Sequence, residues 1–274
     1  MPQSSIYSNL AKTKYLFIDG ACLNTILETL SKKLFGGIEL ELNYAELARG
    51  FQKVFYYDCL PVKKPGEDEE SYKSKRQIKN NLFNKLKSIN GFHVYEGTAR
   101  LRDKKKTQEQ KEIDIMIAVD MLTHSFHKNM DEATLLAGDL DFKPLIDALV
   151  LNGMYVSLWY PKGETNYELV DAADSRMPIT APQVYTWLAE SCKSKVKIPD
   201  SRRSSAHPSN AQWQQLEGME IQCDKVEIYE ITGQGKYFAV LREGNEYPYY
   251  VHDNLEQLKF YVKNLHGSHV YRGD

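Results

Sequence analysis

The stretch "ATLLAGDLDFKPLIDALVLNGMYVSLWY", residues 133–160, holds an apolar run, an abrupt Gly-Asp stop, a helix-like segment and a second apolar run. A short continuous apolar run fits a strand covered on both faces. Gly138 ends the first run, and Asp139 and Asp141 follow with only Leu140 between them. "FKPLIDALVLNG" has helical spacing and stops at Gly153, and "YVSLWY" is again strand-like. A strand, a helix and a strand joined this tightly predict a parallel pair with a right-handed crossover.

The same unit recurs upstream. "KYLFIDG", 14–20, is a buried strand ending at Asp19-Gly20, and "ACLNTILETLSKKLF" is a helix stopped by Gly36-Gly37. "KVFYYDCL", 53–60, is a second strand, "KKPGEDEE" a polar loop, and "ESYKSKRQIKNNLFNKLKSING" a basic helix. "FHVYEG", 92–97, is a third strand, "TARLRDKKKTQEQK", 98–111, a charged loop, and "EIDIMIAVDMLTHSF", 112–126, an apolar helix. Strands alternate with helices through residue 160, which predicts an α/β fold around a central parallel sheet. Residues 166–192 are expected to add one or two helices and close a domain spanning 1–192. The Ser-, Pro- and Arg-containing stretch 193–212 is expected as a linker. Residues 213–274 are expected as a small α+β accessory domain, with three strands ("KVEIYEI", "KYFAVLRE", "YPYYVH") and a helix ("NLEQLKFYVKNL").

The net charge of −2 in 274 residues names no partner by itself. Cys22, Cys59, Cys192 and Cys223 form no C-x-x-C pair, so a zinc ribbon is not expected. No basic segment leads an apolar stretch at the N-terminus, and no apolar run approaches the ~20 residues of a membrane helix. A cytoplasmic protein with reduced thiols and no membrane partner is expected.

In a parallel sheet the C-terminal strand ends form the edge where ligands sit. Asp19 and Asp139 both lie at such ends, and Asp141 opens the following turn. Asp114 lies in the first turn of the 112–126 helix, where the helix dipole favours a carboxylate. Asp120, about 120° further round that helix, falls outside the immediate set. Singly, each acid fits a turn or a cap. Together, each pair at about 4 Å and an effective dielectric of about 20 costs about 4 kcal/mol. Protonation or a bound cation relieves that cost, and all-oxygen donors suit Mg²⁺ or Mn²⁺. Such a centre suits phosphoryl chemistry, because a cation lowers the pKa of water and neutralises phosphate charge. No Ser-His-Asp or Cys-His arrangement competes. His124 and His127 share a helix face but are expected as ordinary surface histidines rather than a zinc pair.

"YLFIDGACL", "KEIDIMIAVDMLTHSF", "ATLLAGDLDFKPLIDALVLNGMYVSLWY" and "YELVDAADSRM" resemble, in order, the motifs of NYN domains. These are PIN-like, metal-dependent nucleases, and the LabA-like bacterial branch is the nearest in pattern. The resemblance covers about residues 14–178. It implies a three-layer, PIN-like (Rossmann-like) α/β sandwich and hydrolysis of RNA by carboxylate-held Mg²⁺ or Mn²⁺. Carried over by position, Asp19, Asp114, Asp139 and Asp141 are the catalytic, metal-holding acids, with Phe142 packed behind the "GDxDF" motif. Asp120 matches a recurring outer acid. Many relatives carry Asn three residues after the first Asp; here Cys22 stands there and Asn24 follows two residues later.

Local charge supports a nucleic-acid substrate. Residues 71–111 hold twelve Lys or Arg against Glu96, Asp103 and Glu109. Arg100, Arg102, Lys104, Lys105, Lys106 and Lys111 lead directly to Asp114, and are expected to hold substrate phosphates. The alternative for this run is a solvated face and loop. RNA is the expected partner, single-stranded DNA the alternative, and a homodimer the candidate assembly. Three readings stand: a metal-dependent endoribonuclease, an inactive nucleic-acid-binding relative, and a haloacid-dehalogenase-type phosphatase. The last places its D-x-D motif on the first strand, whereas here it follows the fourth.

Overall fold

The computed structural model describes residues 12–97, 108–208, 212–221 and 224–268. β1 (Lys14–Asp19) runs straight into α1 (Gly20–Lys33), because the Asp19 side chain caps that helix. The short α2 (Tyr44–Leu47), β2 (Lys53–Cys59), α3 (Glu69–Lys87), β3 (Phe92–Gly97) and α4 (Gln108–Phe126) follow. β4 (Glu132–Leu136) leads through a single 3-10 turn, Leu140–Phe142, into α5 (Lys143–Leu151) and then β5 (Tyr155–Pro161). α6 (Tyr167–Ala172), β6 (Ser175–Ile179), α7 (Ala181–Trp187) and α8 (Glu190–Lys193) complete the N-terminal part.

These six strands form one parallel sheet in the order β3-β2-β1-β4-β5-β6. Strand order reverses between β1 and β4, so a crevice opens between their C-terminal ends. Alternation along the strands sends side chains to two cores. Leu16, Ile18, Val54 and Tyr56 face α1, α3 and α7. Tyr15, Phe17, Phe55, Tyr57, Leu135 and Leu158 face α4, α5 and α6, with Phe17 stacked on Phe55 at 4.8 Å. Phe142 is buried in this second core. The expected three-layer α/β architecture is therefore present.

The stretch 166–192 differs from the expected one or two helices: it holds α6, α7 and the start of the short α8, and a strand besides. β6 lies inside it, pairing with β5 at the sheet edge. "SRMPI" carries Arg176 and Pro178 and shows no alternation, which only an edge strand tolerates.

The C-terminal part is an antiparallel sheet with one helix. β7 (Asp200–Ser204), β8 (Trp213–Gln215), β9 (Met219–Ile221), β10 (Asp224–Ile231), β11 (Lys236–Val240) and β12 (Tyr247–His252) precede α9 (Leu255–His266). The order is β7-β12-β11-β10-β8, with β9 also on β10. β7 falls within 193–212 and pairs with β12, so the second sheet begins inside that stretch. α9 buries Leu258, Tyr261 and Val262 in the same core as Leu23, Ile26 and Leu30 of α1. Ile228, Ala239, Leu241 and Tyr250 of the second sheet join that core. Shared burial, rather than a bare tether, thus connects the C-terminal sheet to the N-terminal part.

Candidate functional site

The crevice between β1 and β4 is where the acids lie. Asp19 is buried at the end of β1, and its Oδ1 accepts from the amides of Ala21 at 2.9 Å and Cys22 at 3.3 Å. Burial outweighs these two hydrogen bonds and, with the charges of Asp58 and Asp139, pushes the carboxyl up to about 6. Asp139 caps the 3-10 turn, accepting from the Asp141 amide at 3.0 Å. Asp139 and Asp141 are exposed. Asp114, on α4, is pushed up to about 7, first by burial and then by the charges of Asp19, Asp139 and Asp141. Its Oδ1 is buried with no hydrogen-bond partner. The four sequence-selected acids thus share one electrostatic site, and one oxygen within it is left unsatisfied.

Glycines allow this crowding. A Cβ on Gly20 would stand 2.5 Å from Asp58 Oδ2, and one on Gly138 would stand 2.9 Å from Pro161. The end of β5 and Thr165 of the β5–α6 loop, whose Oγ1 would stand 3.2 Å from that Cβ, therefore lie directly against the residue before Asp139. Glu164 belongs to that loop. Burial pushes the Cys22 thiol up, and the charges of Asp19, Glu164 and Asp139 push it further. Cys22 is consequently a neutral thiol in an acidic field.

Asp120 stands apart: its Oδ2 accepts from the Tyr57 hydroxyl at 2.8 Å, and Tyr57 stacks on Tyr95 at 4.9 Å. His124 is packed among Tyr15, Phe17 and Phe55. Arg100, Arg102, Lys104, Lys105 and Lys106 lie outside the described residues, as does the side chain of Lys111.

Sequence reasoning missed Asp58, a buried carboxylate at the end of β2. It accepts from Asn24 Nδ2 at 3.1 Å, Tyr56 OH at 3.1 Å and the Cys59 amide at 2.7 Å, and it pairs with Lys79. The rule that selected Asp19, an acid at a strand's C-terminal end, also selects Asp58. The lysines of the basic helix are engaged too. Lys73 pairs with Glu69, Lys75 with Glu67, Lys85 with Glu41 and Lys87 with Glu96. Three of these pairs are exposed on both sides and worth about 0–1 kcal/mol each, whereas the Glu67 side chain of the Lys75 pair is largely covered.

The donor chemistry of Asp19, Asp114, Asp139 and Asp141 fits a hard divalent cation. The side-chain rotamers do not close on one: among the described residues no three His, Cys, Asp or Glu side chains gather to ligate a single ion. Asp19 and Asp139 each accept from a nearby amide.

A stability prediction follows from the raised carboxyls. For an acid whose folded pKa exceeds its unfolded value, the stabilisation is full below the unfolded pKa and is lost as pH rises through the folded one. Here the window runs from 3.8 up through about 6 for Asp19 and about 7 for Asp114. For Asp19 alone the move corresponds to about 3 kcal/mol. Cation-free protein is expected to melt at a lower temperature at pH 8 than at pH 5.5, and Mn²⁺ is expected to narrow the gap. Melting curves at both pH values, with EDTA or Mn²⁺, check this; a cation-free melting temperature unchanged between them would contradict it.

No helix among the described residues is long and apolar enough to cross a membrane. No curated protein matches the chain. The chain is similar, at 17% identity and a TM-score of 0.45, to the crystal structure of a protein of unknown function from Vibrio parahaemolyticus; the match covers 69% of this chain and 100% of that one. The family model described as NYN domain matches residues 16–180, which is more than half of the sequence, reaches all six strands of the parallel sheet and takes in every acid of the crevice, so the chain belongs to the NYN domain family.

Proposed function

We propose that the protein is a metal-dependent nuclease of the cytoplasm that hydrolyses phosphodiester bonds of RNA, acting as an endoribonuclease. The observation that carries this reading is the unsatisfied, buried Oδ1 of Asp114, in a crevice whose other carboxylates repel it. Family membership supports it, since NYN domains have a nuclease-like fold.

Asp19, Asp114, Asp139 and Asp141 would hold Mg²⁺ or Mn²⁺, which when bound supplies a lowered pKa for water and neutralises charge on the scissile phosphate. The chain's own contributions are positional. The start of α1 fixes Asp19 through the Ala21 and Cys22 amides. The 3-10 turn fixes Asp139 through the Asp141 amide. Burial and the neighbouring acids favour the protonated form of Asp114, and a bound cation would displace that proton. The Lys- and Arg-rich segment 98–111 would hold substrate phosphates beside Asp114.

The test is digestion of a defined single-stranded RNA, labelled at either end, with Mn²⁺, Mg²⁺ or EDTA. Internal cuts that need the cation and stop in EDTA are expected. Binding without cleavage under every cation would leave an inactive nucleic-acid-binding protein. Hydrolysis of a small phosphomonoester but not of RNA would leave a phosphatase.

A further inference from the structure

A pocket of about 330 Å³ lies between α1, the β5–α6 loop and α9. Lys33 of α1, Lys162 of the loop and Lys263 of α9 line it, together with Phe260 and Asn264. None of the three lysines makes an ion pair among the described residues. Lys33 and Lys263 are exposed, and Lys33 Nζ sits 5.6 Å from the centre of the Phe260 ring. Lys162 is half-buried and donates to the Leu265 carbonyl; burial works against its charge. Three lysines line this pocket against the single carboxylate of Glu164, and one of them is partly desolvated, so the place gains from an anion.

The pocket adjoins the acidic crevice. Pro161 and Glu164 line it, Pro161 lies against Gly138 next to Asp139, and Glu164 acts electrostatically on Cys22 along with Asp19 and Asp139. We infer that this pocket is a phosphate-binding subsite for the RNA strand, through which the C-terminal α9 helps seat the strand leaving the acids. The inference rests on the nuclease reading above. It gives the C-terminal sheet and helix a reason to be fused to the N-terminal core: α9 carries Lys263 and Phe260 to the edge of the site while burying Leu258 and Val262 beneath it.

The test uses the full chain and the double variant Lys33→Ala/Lys263→Ala, with Lys225→Ala/Lys236→Ala on the second sheet as a control of equal charge change. Both pairs are exposed, so melting temperatures are expected to match wild type. Fluorescence anisotropy of labelled single-stranded RNA in EDTA reads binding without cleavage. The pocket variant is expected to bind about tenfold more weakly, and its salt dependence to fall by about 0.7 per lost contact. In Mn²⁺, KM is expected to rise about tenfold with kcat unchanged. An equal loss in the control pair, or unchanged binding in the pocket variant, would overturn the subsite. If the pocket variant alone loses affinity but no cation supports cleavage by wild type, the nuclease reading fails while the RNA subsite stands. Loss of binding to free mononucleotide with RNA affinity unchanged would show an effector pocket instead and overturn the strand assignment.

Discussion

Asp114→Asn is expected to abolish cation-dependent RNA cleavage and to raise the melting temperature of the cation-free protein. The two effects have one cause. Asp114 carries a buried oxygen with no partner, and the charges of Asp19, Asp139 and Asp141 resist its ionisation. The amide is nearly isosteric and neutral, so it relieves that repulsion. A gain of about 1 kcal/mol raises Tm by about 2–4 °C in a chain of this size. The amide also removes the charge that would draw a divalent ion to the crevice. Loss of one such contact in a reacting centre costs about 3 kcal/mol or more, at least about a hundredfold in rate. Stabilisation by Mn²⁺ should shrink in parallel, since a ligand stabilises only through its affinity for the folded state. A merely structural Asp114 would behave in reverse, with cleavage near wild type and lower cation-free stability. Melting curves with EDTA and with Mn²⁺, beside a cleavage assay, separate the two. Asp139→Asn should likewise remove cleavage, though its carboxylate is exposed and its removal relieves less strain.

Lys79→Met is expected to destabilise the fold by about 3 kcal/mol, because it strands a buried charge. Asp58 and Lys79 are both largely buried, with side-chain exposures of 9% and 17%. Asn24, Tyr56 and the Cys59 amide still donate to Asp58 in the variant, but none supplies a positive charge. Adding Asp58→Asn to Lys79→Met should recover most of the loss, as removing both members of a buried pair costs much less than removing one. Urea unfolding of the two single variants and the double variant measures this as a coupling energy. Equal stability of Lys79→Met and wild type would mean that the pair contributes nothing. The same pair explains why residue 20 is Gly: a side chain there would collide with Asp58.

Much of this was legible in the chain because the parallel sheet writes itself in continuous apolar runs. β1, β2, β4 and β5 are buried on both faces, so each stands out between polar turns. Their ends are marked by Asp19 and by Gly138-Asp139, and the strand-end rule placed those acids on one edge. β6 was not legible because an edge strand with Arg176 and Pro178 lacks both the apolar run and the alternation. β7 was hidden in a Ser- and Arg-rich stretch, since its partner β12 lies more than forty residues away and pairing leaves no local trace. Asp58 obeys the same strand-end rule as Asp19; what leaves no local trace is its pairing with Lys79 from the middle of α3. Lys79 counted toward a basic helix, yet its charge is spent inside the protein. The pocket beside the crevice needed the structure outright, for its lysines come from three distant segments.

The Mn²⁺ anomalous scattering of a crystal soaked near pH 8 decides whether these acids form a metal centre. An anomalous peak within ligand distance of Asp114 Oδ1, shared with carboxylates of Asp19 and of Asp139 or Asp141, is the expected result, with Asp19 or Asp139 turned away from its amide donors. A fully loaded crystal that cleaves RNA when dissolved, yet shows no peak in the crevice between β1 and β4, would contradict it.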